Sequence, residues 1–229
     1  FAANFGLEWT EFGLLWSGRA WDSLFTTLQI AAISAPLTAG MGLLTAYLLV
    51  RQRFAGQASF EFITMLSFAI PGTVIGVSYI LAFNTPPLEI TGTGIILVLC
   101  FIYRNMPVSI RAGVAAMSQI DKSLDECAMT LGATSAQTVR RVVLPLLRPA
   151  IVAALVYSFV RAITSVSAVI FLVSARYDLA TSYIVGRVEN GEYGLAIAYS
   201  ATLIVIMAAA ITLIQFAVGE RKVSRRTSS

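Results

Sequence analysis

Asp121-Lys-Ser-Leu-Asp-Glu-Cys-Ala-Met-Thr-Leu-Gly-Ala-Thr-Ser-Ala-Gln-Thr-Val-Arg-Arg-Val-Val-Leu-Pro145 is the long amphipathic, charge-bearing stretch in the interior of an otherwise apolar chain. It reads as two short helices. Asp121 or Ser123 can cap the first, and Asp125 and Glu126 fall in its opening turns, where the helix dipole favours negative charge. Leu124, Ala128 and Leu131 recur at i, i+4 and i+7 as a small apolar stripe. Gly132 supplies the permissive backbone that ends the helix and turns the chain. Thr134 or Ser135 can cap the second helix, Arg140 and Arg141 occupy its last turns, and Pro145 and Pro149 are expected to stop it.

The plain reading of this stretch is a loop lying on a membrane surface, but its spacing says more. Glu126-Cys127-Ala128, three residues, Gly132, nine residues, Val142, one residue, then Leu144-Pro145 resembles the EAA motif of permease subunits of binding-protein-dependent ABC importers, type I. The chain departs from that motif at Cys127 (for Ala) and Val142 (for Ile), both conservative changes. The resemblance implies that the segment docks into a cytoplasmic ATPase, with Asp125, Glu126, Cys127, Ala128, Leu131, Gly132, Ala133, Val142, Leu144 and Pro145 as the coupling residues. It also implies a dimer of ABC ATPase subunits as partner, with ATP and Mg bound there. This chain carries no Gly-rich phosphate loop ending in Lys-Ser/Thr, so it is expected to hydrolyse no ATP, to hold no cofactor and to have no catalytic residue.

Composition agrees with a membrane setting. Of 229 residues, 57% are hydrophobic and 12% charged, against about 25% charged in a soluble domain, and the mean hydropathy is +0.79. There is no His, and Cys100 and Cys127 lie in or beside membrane segments, so neither a disulfide framework nor a metal site is indicated.

The expected fold is all-α and integral to the membrane, a five-span core with an N-terminal interfacial helix. Residues 1–22 are too polar to span and form that periplasmic or interfacial segment, with Trp9 and Trp16 at headgroup depth. Spans follow at about 24–50, 60–83, 94–117, 149–174 and 195–218 within a permease domain at 23–219, with the two short helices at 121–145 and a basic tail at 220–229. Near the span ends, Arg51, Arg53, Arg104, Arg111, Lys122, Arg140, Arg141, Arg148, Arg221, Lys222, Arg225 and Arg226 lie on one side, and Arg19, Arg176 and Arg187 on the other. With Arg161 inside a span, these account for all 16 Lys and Arg. The richer side is cytoplasmic. The start of this chain and the loops at 84–93 and 175–193 then face outward, while 121–145 and the C-terminus face the ATP. A net charge of +4 placed in this way points to membrane orientation, not to nucleic acid.

Within the spans, Pro36, Pro71-Gly72 and Pro107 are either simple kinks that shape the bundle or hinges between inward-open and outward-open states. Gly40, Gly42, Gly72 and Gly76 offer small faces for close packing. Arg161 lies twelve residues beyond Pro149, roughly 18 Å along a helix, at a depth where charge is costly unless it faces a cavity or a partner. It is either structural, paired with carbonyls or with Glu61, or part of the translocation path together with Tyr157, Thr164, Ser165 and Ser167.

The stretch from Phe159 to Val173, with Gly191-Glu-Tyr-Gly-Leu-Ala-Ile-Ala198 after it, is similar to the ferric-iron branch of these permeases; related branches carry thiamine, phosphonates or polyamines. That branch commonly fuses two cores in one polypeptide, each preceded by an additional span. The resemblance therefore implies either the C-terminal half of a fused permease or a separate permease chain whose early part is not included, in the bacterial inner membrane. Its further implied partners are a second permease half or subunit, a periplasmic or lipid-anchored solute-binding protein, and membrane lipids. A secondary transporter or channel would call for Asp or Glu inside the spans, and Glu61 alone is available, at an edge. An embedded enzyme would need His or a carboxylate pair.

Overall fold

The computed structural model describes residues 7–10, 13–16, 19–121, 123–174 and 176–218. Among the described residues the regular structure is all helical apart from a small hairpin, β1 (Leu7–Thr10) paired antiparallel with β2 (Gly13–Trp16). Where the expected interfacial helix lay, the described residues 7–10 and 13–16 form strands instead. Trp and Thr suit a strand. The helix begins only at Arg19.

That helix, α1 (Arg19–Arg51), runs through Pro36 without interruption. A proline in a helix interior forfeits one hydrogen bond, here the one to the carbonyl of Ala32, and the hydroxyls beside it bond to neighbouring carbonyls. Thr38 Oγ1 donates to the carbonyl of Ser34 (2.7 Å), and Ser34 Oγ donates to that of Ala31 (3.4 Å). α4 (Gly94–Ser118) contains Pro107 buried and equally uninterrupted. α1 is the central element, packed along α4 and along α8 (Arg148–Thr164). Small residues permit the close crossing. A side chain at Gly42 would strike Ser109, and one at Gly113 would strike Ala46 and Leu43.

The second expected span is not one helix. α2 (Gln57–Met65) passes into a 3₁₀ turn at Leu66–Phe68, and after Pro71 the chain restarts as α3 (Gly72–Phe83), bent by 104°. Pro71 is extended, at φ −56° and ψ 141°, so the helix cannot run through it. The fourth expected span is also shorter than 149–174: α8 ends at Thr164 where Ser165 turns extended, and 165–174 continues as turns and irregular backbone. α9 (Ala180–Glu189) fills the expected loop, and α10 (Tyr193–Val218) is the last span. Among the described residues three helices are long and apolar enough to cross a membrane, α1, α4 and α10; counting each of two bent pairs as one span gives up to five.

Two apolar clusters hold the bundle. The larger joins Leu24, Ile30 and Ala31 of α1, Ile96, Leu97 and Phe101 of α4, Phe159 and Ile163 of α8, Val169 and Leu172 of the turn region, and Tyr199 and Leu203 of α10. The smaller joins Ala46, Met117, Val143 and Leu147 at the end of the bundle that carries residues 121–147. α10 leaves Ile197, Val205, Leu213 and Phe216 exposed, as expected of a surface facing lipid or another apolar partner.

Candidate functional site: the EAA-like segment and the α8 end

The segment quoted at the outset folds as two helices joined by a tight turn. α5 (Ser123–Thr130) begins at Asp121, whose carboxylate accepts the backbone N–H of Ser123 at 2.9 Å. That bond holds the Asp121 carboxyl below the usual carboxylate range. α5 ends in a paired closure. The N–H of Ala133 donates to the carbonyl of Ala128 (3.0 Å) and that of Gly132 to Met129 (2.9 Å). Gly132 has φ +81°. This is the Schellman arrangement, which needs a left-handed residue at its corner. Thr134 then caps α6 (Ser135–Thr138) through a capping box: its Oγ1 accepts the N–H of Gln137 at 3.3 Å, and Gln137 Oε1 accepts the N–H of Thr134 at 2.9 Å. Of the two expected caps, Thr134 serves.

Beyond α6 the chain widens to a π turn at Val139–Val143 and continues as α7 (Leu144–Leu146). Pro145 therefore does not stop the helix. It sits in the first turn of α7, where its missing N–H is no loss. The break comes at Leu147, before Pro149, with a 71° bend into α8.

The segment has a buried and an exposed face. Thr138, Val143 and Leu147 turn inward. Glu126, Cys127, Gly132, Leu144 and Pro145 are exposed, Asp125, Ala128, Ala133 and Val142 are partly covered, and Leu131 is 88% exposed beside exposed Leu124 and Met129. Exposed Arg140 and Arg141 flank this apolar tip. Beneath α5 lies a cavity of ≈ 270 Å³ lined among others by Tyr47, Arg51, Asp125, Glu126, Met129 and Thr138. Across it Arg51 Nε stands 3.3 Å from Asp125 Oδ2, with the Arg51 side chain 5% exposed. Sequence reasoning took Arg51 only as the end of a span; no local pattern pairs it with a residue 74 positions on.

The residues read as pathway candidates are split. Tyr157, Arg161 and Thr164 fall on one face of α8 at i, i+4 and i+7, with Arg161 and Thr164 exposed and Tyr157 partly so. Arg161 lies in the last turn of α8, where the helix dipole favours a cation. Among the described residues it has no ion-pair partner, and Glu61 instead faces Arg111 at 3.9 Å. Ser165 is buried, its carbonyl accepting from Thr181 Oγ1 at 3.0 Å. Ser167 belongs to a different place, the seam between α3 and the 165–174 turns. There a Cβ on Gly72 would collide with Ser167 Oγ and come within 3.0 Å of Arg104 Nη1, and one on Gly76 would strike the carbonyl oxygen of Ala168. The Gly72/Gly76 pair thus seats a helix on a turn, not a helix on a helix. Of the proline and glycine hinge candidates, only Pro71-Gly72 marks a break; Pro36 and Pro107 lie within continuous helices.

This architecture is that of an ABC importer permease. A bacterial ABC transporter involved in import of the acidic polysaccharide alginate superposes with a TM-score of 0.75 at 17% identity, over 91% of this chain and 82% of that one. Residues 38–225 match the family model described as the binding-protein-dependent transport system inner membrane component, and the chain belongs to that family. It is thus a multi-pass inner membrane permease component, and the secondary transporter alternative falls away.

The particular likeness is closer. The chain is 50% identical to the ferric transport system permease protein FbpB of Actinobacillus pleuropneumoniae, over 98% of this chain and 34% of that protein. It is 54% identical to the putative ferric transport system permease protein FbpB 1 of Haemophilus influenzae, over 76% of this chain and 29% of that protein. The chain spans about a third of the length of these curated relatives.

Proposed function

We propose that this chain is one translocation core of an ATP-driven importer for ferric iron. A soluble or lipid-anchored binding protein delivers the solute at the outer face, and a second core completes the pathway. The other two thirds of a relative such as FbpB leave room for that second core in the same polypeptide. Arg51, Arg111, Arg140 and Arg141 gather toward the 121–147 end, and by the positive-inside rule that end is cytoplasmic, with the start of this chain outside and its C-terminus inside. The exposed tip around Glu126, Leu131 and Gly132 docks an ATPase subunit, which binds the ATP and Mg. Closure of two ATPases draws two such segments together and turns the cores outward; hydrolysis resets them.

The observation that carries this reading is the 50% identity over nearly the whole chain to a ferric transport permease, joined to an EAA-like segment in which Glu126, Cys127, Gly132, Leu144 and Pro145 are exposed. Arg161 and Thr164, on a face this core leaves open, fit a position at the boundary between two cores. Ser165 and Ser167 serve packing.

The test is reconstitution of the full permease with its ATPase in proteoliposomes, offering ferric iron on its binding protein. ATP-dependent iron uptake is expected, lost in Glu126→Lys while membrane insertion is kept. Arg161→Ala should reduce uptake with the ATPase still bound. Uptake by Glu126→Lys at the parent rate, or purification without any ATPase, would overturn the proposal.

A further inference from the structure

The EAA-like segment is fastened to the membrane core at its two ends by unlike means. Its second half is held by packing, since Val143 and Leu147 are buried with Ala46 of α1 and Met117 of α4. Its first half has no such hold, because α5 has no buried residue. Between α5 and the end of α1 lies the ≈ 270 Å³ cavity, where close packing would otherwise be found.

Across that hollow stands one side chain. Arg51, the last residue of α1, places Nε 3.3 Å from Asp125 Oδ2 and donates from Nη2 to the carbonyl of Ile120 at 3.2 Å, just past the end of α4. One guanidinium therefore joins the ends of α1 and α4 to the first turn of α5. The contact with Asp125 is one of charge, since Nε lies close to the carboxylate without hydrogen-bond geometry, and the hydrogen bond of this guanidinium goes from Nη2 to Ile120. The charges also suit their helices, with a cation at the C-terminus of α1 and a carboxylate in the first turn of α5.

We infer that Arg51 is a positioning residue for transport: through Asp125 it makes α5 a rigid strut, so that movement imposed on the exposed tip reaches α1 and α4 instead of being lost in the hollow. The inference rests on the proposed docking of an ATPase at that tip. The turns flanking α5 explain why a strut is needed. Gly132 at φ +81° and the Asp121 turn are held by local bonds alone, so α5 freed from Arg51 can swing while α6 and α7 stay in place. Removing either partner also leaves a buried or half-buried charge uncompensated, the circumstance in which a salt bridge matters most.

The experiment uses the full permease with its ATPase in proteoliposomes, and ferric iron loaded on the binding protein as the probe. It reads iron imported per ATP hydrolysed for the parent, Arg51→Gln, Asp125→Asn and the double variant. Arg51→Gln should retain its ATPase and hydrolyse ATP within about twofold of the parent, yet import roughly tenfold less iron per ATP, and Asp125→Asn should lower the same ratio. The double variant should be no worse than the poorer single, because one interaction is lost in all three. Arg51→Lys, which keeps the charge but not the fork, should recover part of the ratio. Deuterium exchange on the same complexes should rise at 123–131 and stay unchanged at 148–164. An unchanged import ratio in Arg51→Gln, multiplicative losses in the double variant, or unchanged exchange in α5 would overturn the inference. Loss of ATPase binding in Arg51→Gln without recovery by Arg51→Lys would assign Arg51 to folding alone and overturn it too. A parent complex that holds no ATPase would overturn the underlying functional reading and this inference with it.

Discussion

Gly76 and Gly132 are both glycines for which no other residue fits well, and for opposite reasons. Gly76 lies in the seam between α3 and the 165–174 turns, at an ordinary helical φ, where any Cβ would strike the carbonyl oxygen of Ala168. Gly132 lies at the corner of the EAA-like segment with nothing within 4 Å of its missing Cβ, and it is held by φ +81° alone. The seam is constrained by space and the segment by backbone conformation. An interior seam is specified by atoms remote in sequence, whereas a protruding turn is specified by the residues that form it.

Substitutions should separate the two constraints. Gly76→Ala carries the largest expected effect, because the obstructing atom is backbone that no side-chain change removes. Overpacking of this kind costs about 1–3 kcal/mol or more, and the folded yield from detergent extraction should fall sharply. Gly72→Ala meets only Ser167 Oγ and the tip of Arg104, so Gly72→Ala with Ser167→Ala should melt within ~1 kcal/mol of the parent. Rescue of Gly76→Ala by a change at position 168 would break the distinction.

Gly132 should respond by local means. Gly132→Pro cannot adopt φ +81°, so the turn should be destroyed and ATPase association lost while α1, α4 and α8 keep their thermal stability. Gly132→Ala, strained but not obstructed, should cost about 1 kcal/mol, and Gly132→Asn less, because Asn tolerates the left-handed region. Equal losses for Ala and Asn would show that conformation is not the constraint.

The smallest expected effect is at the other end of α5. The Asp121 carboxyl is held below its usual range by the Ser123 N–H, so its cap is in place above about pH 4. The cap is lost as pH falls through the lowered value, and amide protection of α5 should decline only on that acid side. Asp121→Asn retains an acceptor, and its protection should be indifferent to pH over the same range.

The difference between segment and seam also explains what could be read from the chain. The helix, turn and helix of 121–145 were legible, down to the corner at Gly132 and a cap at Thr134 or Ser135, because each signal acts within four or five residues. α1, α4 and α10 were legible because apolar length needs no partner to be recognised. Proline was not legible in the same way. Pro36 and Pro107 leave their helices whole, while Pro71 sits at a 104° break. The residue type is common to all three, and a tightly seated glycine is found beside Pro107 as well, where a Cβ on Gly42 would strike Ser109. Glu61 was likewise a candidate partner for Arg161, but it faces Arg111 at 3.9 Å, with both side chains well exposed. At such exposure, ion pairing contributes little and local reach decides the partner.

The sequence by itself determined the membrane class of this protein, its long spans and the EAA-like segment, since hydropathy, caps and fixed spacing act along the chain. The tertiary structure alone decided that α8 ends at Thr164, that a turn region fills the seam against α3, and that Arg51 reaches Asp125 across a hollow. Those features depend on which surfaces meet once the helices are packed, and pairing between residues far apart in the chain leaves no local periodicity to read.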